Sequence, residues 1–355
     1  LRSLYGLPYG TLKVEKLNLL SKKDYEDLIK ASSVNDIISL LSEKGLKDDL
    51  SQYSNQYSGL DLIEISNNSY FARLNRYALS VTPYNGKDLI VSYLSKWDLL
   101  NLKTIIAAKS ANNKIEQTQI YLITSKNLPV GMYAGLLSYE DYRNILSMDN
   151  IEDIVSYTLR YGYGKALLSF IDDYKKNNNV TSLLLSLDLY YYEMMREKFR
   201  FFNGSEGPIY RYIKRIIDSK NLMTILKGIE YGNVEDIKDF IIKGGGLTDQ
   251  QIDDLIKSNS VEEVIQKVKS IFNITTGLDY YKNTSSLVGI ESEIERNIYW
   301  EFLEIFEMSS LSINNVIAFL MRAEAQWKDI KKIASGKFYN LSEEEISMLL
   351  INKVI

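Results

Sequence analysis

The 355-residue chain contains no cysteine and no histidine. The first absence removes disulfide frameworks, thiolate nucleophiles and cysteine-based zinc sites. The second removes the usual general base near neutral pH, and with it every Ser-His-Asp or Cys-His arrangement. Any catalysis would rest on carboxylates, Lys, Tyr or a carboxylate-bound hard metal. Proline is scarce, at 4 residues, which suits long helices because an interior proline kinks or breaks one. The most apolar stretch, Leu183 to Met195, is interrupted by Asp188 and Glu193. It falls short of the roughly 20 apolar residues of a spanning helix. The opening Leu1-Arg2-Ser3-Leu4-Tyr5 lacks the basic-then-apolar order of a targeting peptide. With 42 basic and 46 acidic side chains, the chain has a net charge of −4 and lacks the basic footprint of a nucleic-acid binder.

What the sequence does contain is an internal repeat. Leu20-Ser21-Lys22-Lys23-Asp24, Leu137-Ser138-Tyr139-Glu140-Asp141 and Leu247-Thr248-Asp249-Gln250-Gln251 share one pattern: a hydroxyl residue followed three positions later by Asp or Gln. This is capping-box spacing, in which a hydroxyl and an acid or amide exchange hydrogen bonds with the first backbone amides of a helix. Apolar residues follow at matching offsets: Tyr25, Leu28 and Ile29; Tyr142, Ile145 and Leu146; Ile252, Leu255 and Ile256. Second start signals at Ser33, Asn150 and Ser260 open three more short amphipathic segments.

A third shared element predicts a long helix over 90–109, 210–227 and 316–335. Asp98 and Asn101 match Asp218 and Asn221, and Glu324 and Trp327 take the corresponding places in the last stretch. The period is about 110 positions, far beyond the roughly 20–50 of a solenoid. The expectation is an all-α protein made of three divergent helical units, at 1–115, 116–238 and 239–355. Asp172 to Asn179 reads as a loop within the second unit. The tail from Ser342 to Glu345 begins with the same cap.

Catalytic motifs are missing. Gly86-Lys87, Gly164-Lys165 and Gly336-Lys337 lack the other elements of a P-loop, and Gly162-Tyr163-Gly164 does not continue into a dinucleotide fingerprint. The acidic pairs Asp48-Asp49, Asp172-Asp173 and Asp253-Asp254 have no further acid one helical turn on to share a metal. No cofactor and no metal is expected. The Asp/Asn pairs stand one turn apart and are neighbours on a helix. Asn101 and Asn221 lie on the apolar stripe and read as packing residues, since a buried amide must find partners. For the acids, a structural role and a rim offered to a partner both remain open. The run Tyr190-Tyr191-Tyr192 reads as core and interface filler.

The threefold pattern, with Tyr93-Leu94-Ser95-Lys96-Trp97-Asp98-Leu99-Leu100-Asn101-Leu102-Lys103 as its clearest instance, resembles the C subunit of archaeal and bacterial A/V-type ATP synthases. The eukaryotic counterpart is the d subunit of the vacuolar ATPase. The resemblance runs over about residues 5 to 350. It departs at Trp327, where the family's third copy usually has Asn, and in Leu12–Leu17, which lacks an Arg often found there. The resemblance implies a funnel of three helical domains with approximate threefold symmetry and no chemistry of its own. It implies a central-stalk adaptor that sockets the rotor shaft onto the proteolipid ring. Its partners would be the shaft subunits and the ring subunits, with one copy per complex and a monomer when isolated. Its place would be peripheral, on the cytoplasmic face of the cell membrane. It also implies a socket wall bearing Asp98, Asn101, Asp218, Asn221 and Glu324, with Lys96, Arg215 and Arg322 beside them. The alternative is a helical scaffold within another complex.

Overall fold

The computed structural model describes residues 4–112, 135–201, 207–232, 234–309 and 311–352, and all regular structure among them is helical. The chain opens with α1 (Gly6–Glu15), α2 (Lys22–Lys30), α3 (Val34–Ser42), α4 (Lys47–Tyr53), α5 (Gly59–Val81), α6 (Tyr84–Leu94) and α7 (Lys96–Ser110). It continues with α8 (Tyr139–Ser147), α9 (Ile151–Thr158), α10 (Tyr163–Leu168), α11 (Ile171–Asn177), α12 (Val180–Phe199) and α13 (Gly207–Tyr231). After a 3-10 segment at Val234–Phe240 come α14 (Asp249–Ile256), α15 (Val261–Lys267), α16 (Thr276–Thr284), α17 (Val288–Met308), α18 (Ile313–Phe338) and α19 (Glu343–Leu349). The expected boundary at 115/116 lies outside the described residues. No helix among them is long and apolar enough to cross a membrane.

Local chemistry accounts for the helix starts. Ser21 with Asp24, Ser138 with Asp141, Thr248 with Gln251 and Ser342 with Glu345 each form a complete capping box. Ser33, Asn150 and Ser260 accept from the amides of Asp36, Asp153 and Glu263 to begin α3, α9 and α15. Each such cap is worth about 1 kcal/mol, enough to place the ends of short helices whose apolar faces supply the rest.

Two expectations need correction. Asp172 to Asn179 is not a loop throughout. Asp172 and Asp173 occupy the first turn of α11, and Lys175 and Lys176 its last, so charge complements the helix dipole at both ends. Asn178, at φ +51°, ends the helix. The stretch 90–109 is likewise not one helix. It is divided at Ser95, whose hydroxyl donates to the Ser92 carbonyl at 2.7 Å and whose N–H is shared between the Val91 and Ser92 carbonyls at 2.9 and 3.3 Å, a three-centre bond common at helix ends. Its counterparts at 210–227 and 316–335 run unbroken within α13 and α18.

The long helices pack in a definite order. The α7 helix lies on α12, α13 on α17, and α18 on α5, so the last long helix of the chain returns to the first. One continuous apolar core runs through all of them, from Leu12 to Ile351. The α5–α18 contact has no covalent connection nearby and is held by aromatic packing. Phe71 stacks on Trp327 at 4.9 Å, and Trp97 meets both rings edge-on. Trp327 Nε1 donates to Asn68 Oδ1 at 2.7 Å, and Asn67 Nδ2 donates to the Trp327 carbonyl at 2.9 Å.

Candidate functional site

Two arrangements of polar residues stand out, a set of buried latches and a charged cavity. The latches begin with Asp98 on α7. Its carboxylate accepts the N–H groups of Leu136 at 2.6 Å and Leu137 at 3.2 Å, and the hydroxyls of Tyr142 at 2.7 Å and Tyr163 at 3.1 Å. Leu136 and Leu137 are the residues just before the Ser138 cap. On α13, Asp218 accepts the N–H of Gly246 on both oxygens and that of Leu247 at 3.0 Å, just before the Thr248 cap. On α18, Gln326 Oε1 accepts the N–H of Leu20 at 2.7 Å, just before the Ser21 cap. Each of these helices therefore holds the chain at the entrance to another capped helix pair.

This geometry changes the alignment of the third stretch. Gln326, not Glu324, occupies the place of Asp98 and Asp218, and Asp329, not Trp327, occupies that of Asn101 and Asn221. Asn221 exchanges two hydrogen bonds with the backbone of Ile242, each at 2.8 Å. Asp329 accepts the N–H groups of Ile351 at 2.8 Å and Asn352 at 2.9 Å. Burial lifts the Asp98 carboxyl to about 7 and that of Asp329 to about 6, and their donors act against that rise.

Two glycines complete the latches, and motif reasoning missed them. A Cβ at Gly135 would stand 2.3 Å from Asp98 Oδ2, and one at Gly245 would stand 2.1 Å from Asp218 Oδ1. Each lies three positions before its capping residue. That shared offset was the available signal in the sequence. The first stretch has Asn18 at this offset.

The cavity, of about 370 Å³, is walled by residues of α6, α7, α12, α13, α17 and α18. Tyr191, Tyr192, Tyr212 and Tyr299 give it an aromatic lining. Lys96 pairs with Glu324 at 2.5 Å and lies over the Tyr93 ring at 4.2 Å. Lys328 bridges Glu324 at 2.9 Å and Glu295 at 3.1 Å. Lys103 pairs with Asp188. Burial pushes the Glu324 carboxyl up, but Lys328 and Lys96 together bring it down to about 2.

Of the residues expected on a socket wall, the structure brings only Lys96 and Glu324 to this cavity. Asp98, Asn101, Asp218 and Asn221 are buried, and Asp98, Asp218 and Asn221 make hydrogen bonds to groups of this chain. Arg215 donates to the Ile271 carbonyl at 3.1 Å and approaches Glu301 at 3.6 Å. Arg322 makes a two-pronged pair with Glu307, at 2.7 and 2.9 Å, away from the cavity lining. Tyr191 and Tyr192 are buried and Tyr190 is half-buried.

Fold and site define an all-helical protein, with these polar groups used in latches and ion pairs. Among the described residues, no group of three acids could hold a metal ion. The family model of the ATP synthase (C/AC39) subunit matches residues 9–349, and the chain belongs to that family. It is 31% identical over 348 residues to the C subunit of the A-type ATP synthase of Thermoplasma volcanium, covering 98% of each chain. It is 29% identical over 354 residues to the protein of that name from Thermoplasma acidophilum, covering 99% of each. For the Methanocaldococcus jannaschii protein the identity is 24% over 354 residues, covering 98% of this chain and 86% of that one. The chain is thus a non-catalytic subunit of a rotary ATP synthase.

Proposed function

We propose that the chain is the adaptor of the central stalk, seating the rotor shaft on the membrane proteolipid ring and transmitting torque between them. In this reading three helical domains, at 1–115, 116–238 and 239–355, form a funnel with approximate threefold pseudo-symmetry. The funnel receives the shaft, and its base rests on the ring at the cytoplasmic face, one copy per complex. The single observation that carries the reading is the order of the long-helix contacts, α7 on α12, α13 on α17 and α18 on α5, around a cavity shared by all three stretches. A part that passes torque must resist opening, and buried latches between successive stretches supply that resistance. Lys96 and Glu324 are the expected wall residues that line this cavity.

The test is co-purification from native membranes. Recovery with the proteolipid ring and the shaft subunits, at one copy per complex, is the expected result. Recovery in a different assembly, lacking both, would sink the adaptor role and favour a scaffold in another complex.

A further inference from the structure

The cavity carries an unbalanced charge. Four lysines line it, Lys96, Lys103, Lys220 and Lys328, against three carboxylates, Asp188, Glu295 and Glu324. Each carboxylate is already engaged: Glu324 by Lys96 and Lys328, Glu295 by Lys328 and Lys332, Asp188 by Lys103. Lys220, on α13, makes no ion pair among the described residues and remains exposed while contributing to the lining. The surplus stands in a chain whose net charge is −4, so it does not follow from overall composition.

Holding this surplus costs the folded protein. Burial lowers the pKa of Lys103. Asp188 opposes that, and the ammonium groups of Lys220 and Lys227 lower it further by repulsion. Lys220 itself stays charged: Tyr192 first, then Asp188 and Glu295, raise its pKa, against the partial desolvation of the cavity wall and the repulsion of Lys328. Gathering like charges in a concave, partly desolvated wall strengthens their repulsion relative to open water. No group of the described chain answers the Lys220 charge at ion-pair distance, so an anion entering the cavity would gain an attraction that is not already used.

We infer that the cavity is a receptor for a carboxylate on an acidic segment of an inserted protein partner, with Lys220 as the group that binds it. The inference rests on the adaptor reading, the inserted partner being the end of the rotor shaft. The aromatic lining suits such a segment better than a free ion. Tyr191, Tyr192, Tyr212 and Tyr299 are largely buried and border the cavity with the rims of their rings, which suit the apolar side chains beside the acid. Lys96 and Lys328 would stay with Glu324, keeping the wall in place while Lys220 meets the incoming carboxylate.

The experiment measures the affinity of the purified full-length chain for its cognate shaft subunits by titration calorimetry, at low and at moderate salt. The variants are Lys220→Gln, Lys220→Glu and, as a charge control on an exposed residue outside the cavity, Lys257→Glu. The expected result at low salt is at least a tenfold loss for K220E, a smaller loss for K220Q and wild-type affinity for K257E. The K220E deficit should shrink as salt rises. Unchanged thermal unfolding of K220E checks that the exposed substitution leaves the fold intact.

Equal affinity of wild type and K220E overturns the inference while leaving the adaptor reading standing. An equal loss in K257E also overturns it, since overall charge would then suffice. Failure of the wild-type chain to bind the shaft overturns the adaptor reading itself. A parallel titration uses inorganic phosphate as probe. Tight binding by wild type that is lost in K220E would assign the site to a small anion and overturn the acidic-segment partner.

Discussion

Gln326 accepts the backbone N–H of Leu20 at 2.7 Å across 306 positions of sequence. It repeats, with a neutral amide, what Asp98 does for Leu137 and Asp218 does for Leu247. The two carboxylates act between stretches that follow one another in the chain. Gln326 acts between the last stretch and the first, where no peptide connection helps. The weaker acceptor thus sits at the join that, among the described residues, has the largest helix–helix contact, that of α18 with α5.

Gln326→Ala leaves the Leu20 amide without this partner in a half-buried setting. An unsatisfied buried donor costs about 1–3 kcal/mol. The expected outcome is a loss of that size in urea unfolding with an unchanged slope. A loss below the error of the measurement would mean that water replaces the amide without penalty.

Gly245→Ala puts a methyl group 2.1 Å from Asp218 Oδ1, so the carboxylate or the loop must move and the latch on Gly246 and Leu247 loosens. Overpacking of this kind costs about 1–3 kcal/mol. The control is Gly10→Ala in α1, where a Cβ meets nothing within 4 Å. That change should stabilise by about 0.4–1 kcal/mol through the unfolded chain. Opposite signs for the two alanines in thermal melts are the expected readout.

Trp327→Ala removes the stacked ring between Phe71 and Trp97 and the donor to Asn68 Oδ1. Truncating a buried tryptophan costs about 3–5 kcal/mol. Trp327→Phe keeps most of the packing but loses the donor to Asn68, and should cost less. If the two substitutions destabilise equally in denaturant titrations, the hydrogen bond rather than the stack dominates this join.

Acid should weaken the fold through Glu324 and Asp141. Burial raises both carboxyls. Lys328 and Lys96 bring Glu324 down to about 2, while Ser138 and Tyr161 head the hydrogen bonds that bring Asp141 to about 2. A depressed folded pKa contributes stability that is present above the ordinary values of 4.5 for Glu324 and 3.8 for Asp141 and fades as pH falls toward about 2. Asp98 and Asp329 act in the opposite sense. Burial raises them from 3.8 to about 7 and about 6, so the native state holds extra protons and loses stability as pH rises through that window. Urea midpoints against pH should therefore peak at about pH 4. Glu324→Gln should be least stable relative to wild type above that value, with the gap closing near pH 2.

The local grammar of this protein was legible in its sequence because it depends on neighbours. A capping box needs a hydroxyl and an acid or amide three residues apart, and Ser21, Ser138 and Thr248 form theirs as spaced. The helical class and the apolar faces of α2, α3, α8, α9, α14 and α15 follow from the same short-range rules. The helix at Ile171–Asn177 reads as a loop because its polar residues suit both states, and only their order, acids first and lysines last, favours a helix. What short-range pattern could not decide was the direction of the polar side chains on the long helices. A two-residue change of register in α18 exchanges Glu324 for Gln326. One side chain enters a lysine-lined cavity and the other meets a distant backbone amide. That choice depends on where Leu20 lies in space, which is set by the packing of α18 on α5. Asp98 and Asp218 were legible as a repeated pair. Their burial was decided by the tertiary structure, since only the arrival of Gly135–Leu137 and Gly245–Leu247 provides the amides that make a buried carboxylate tolerable.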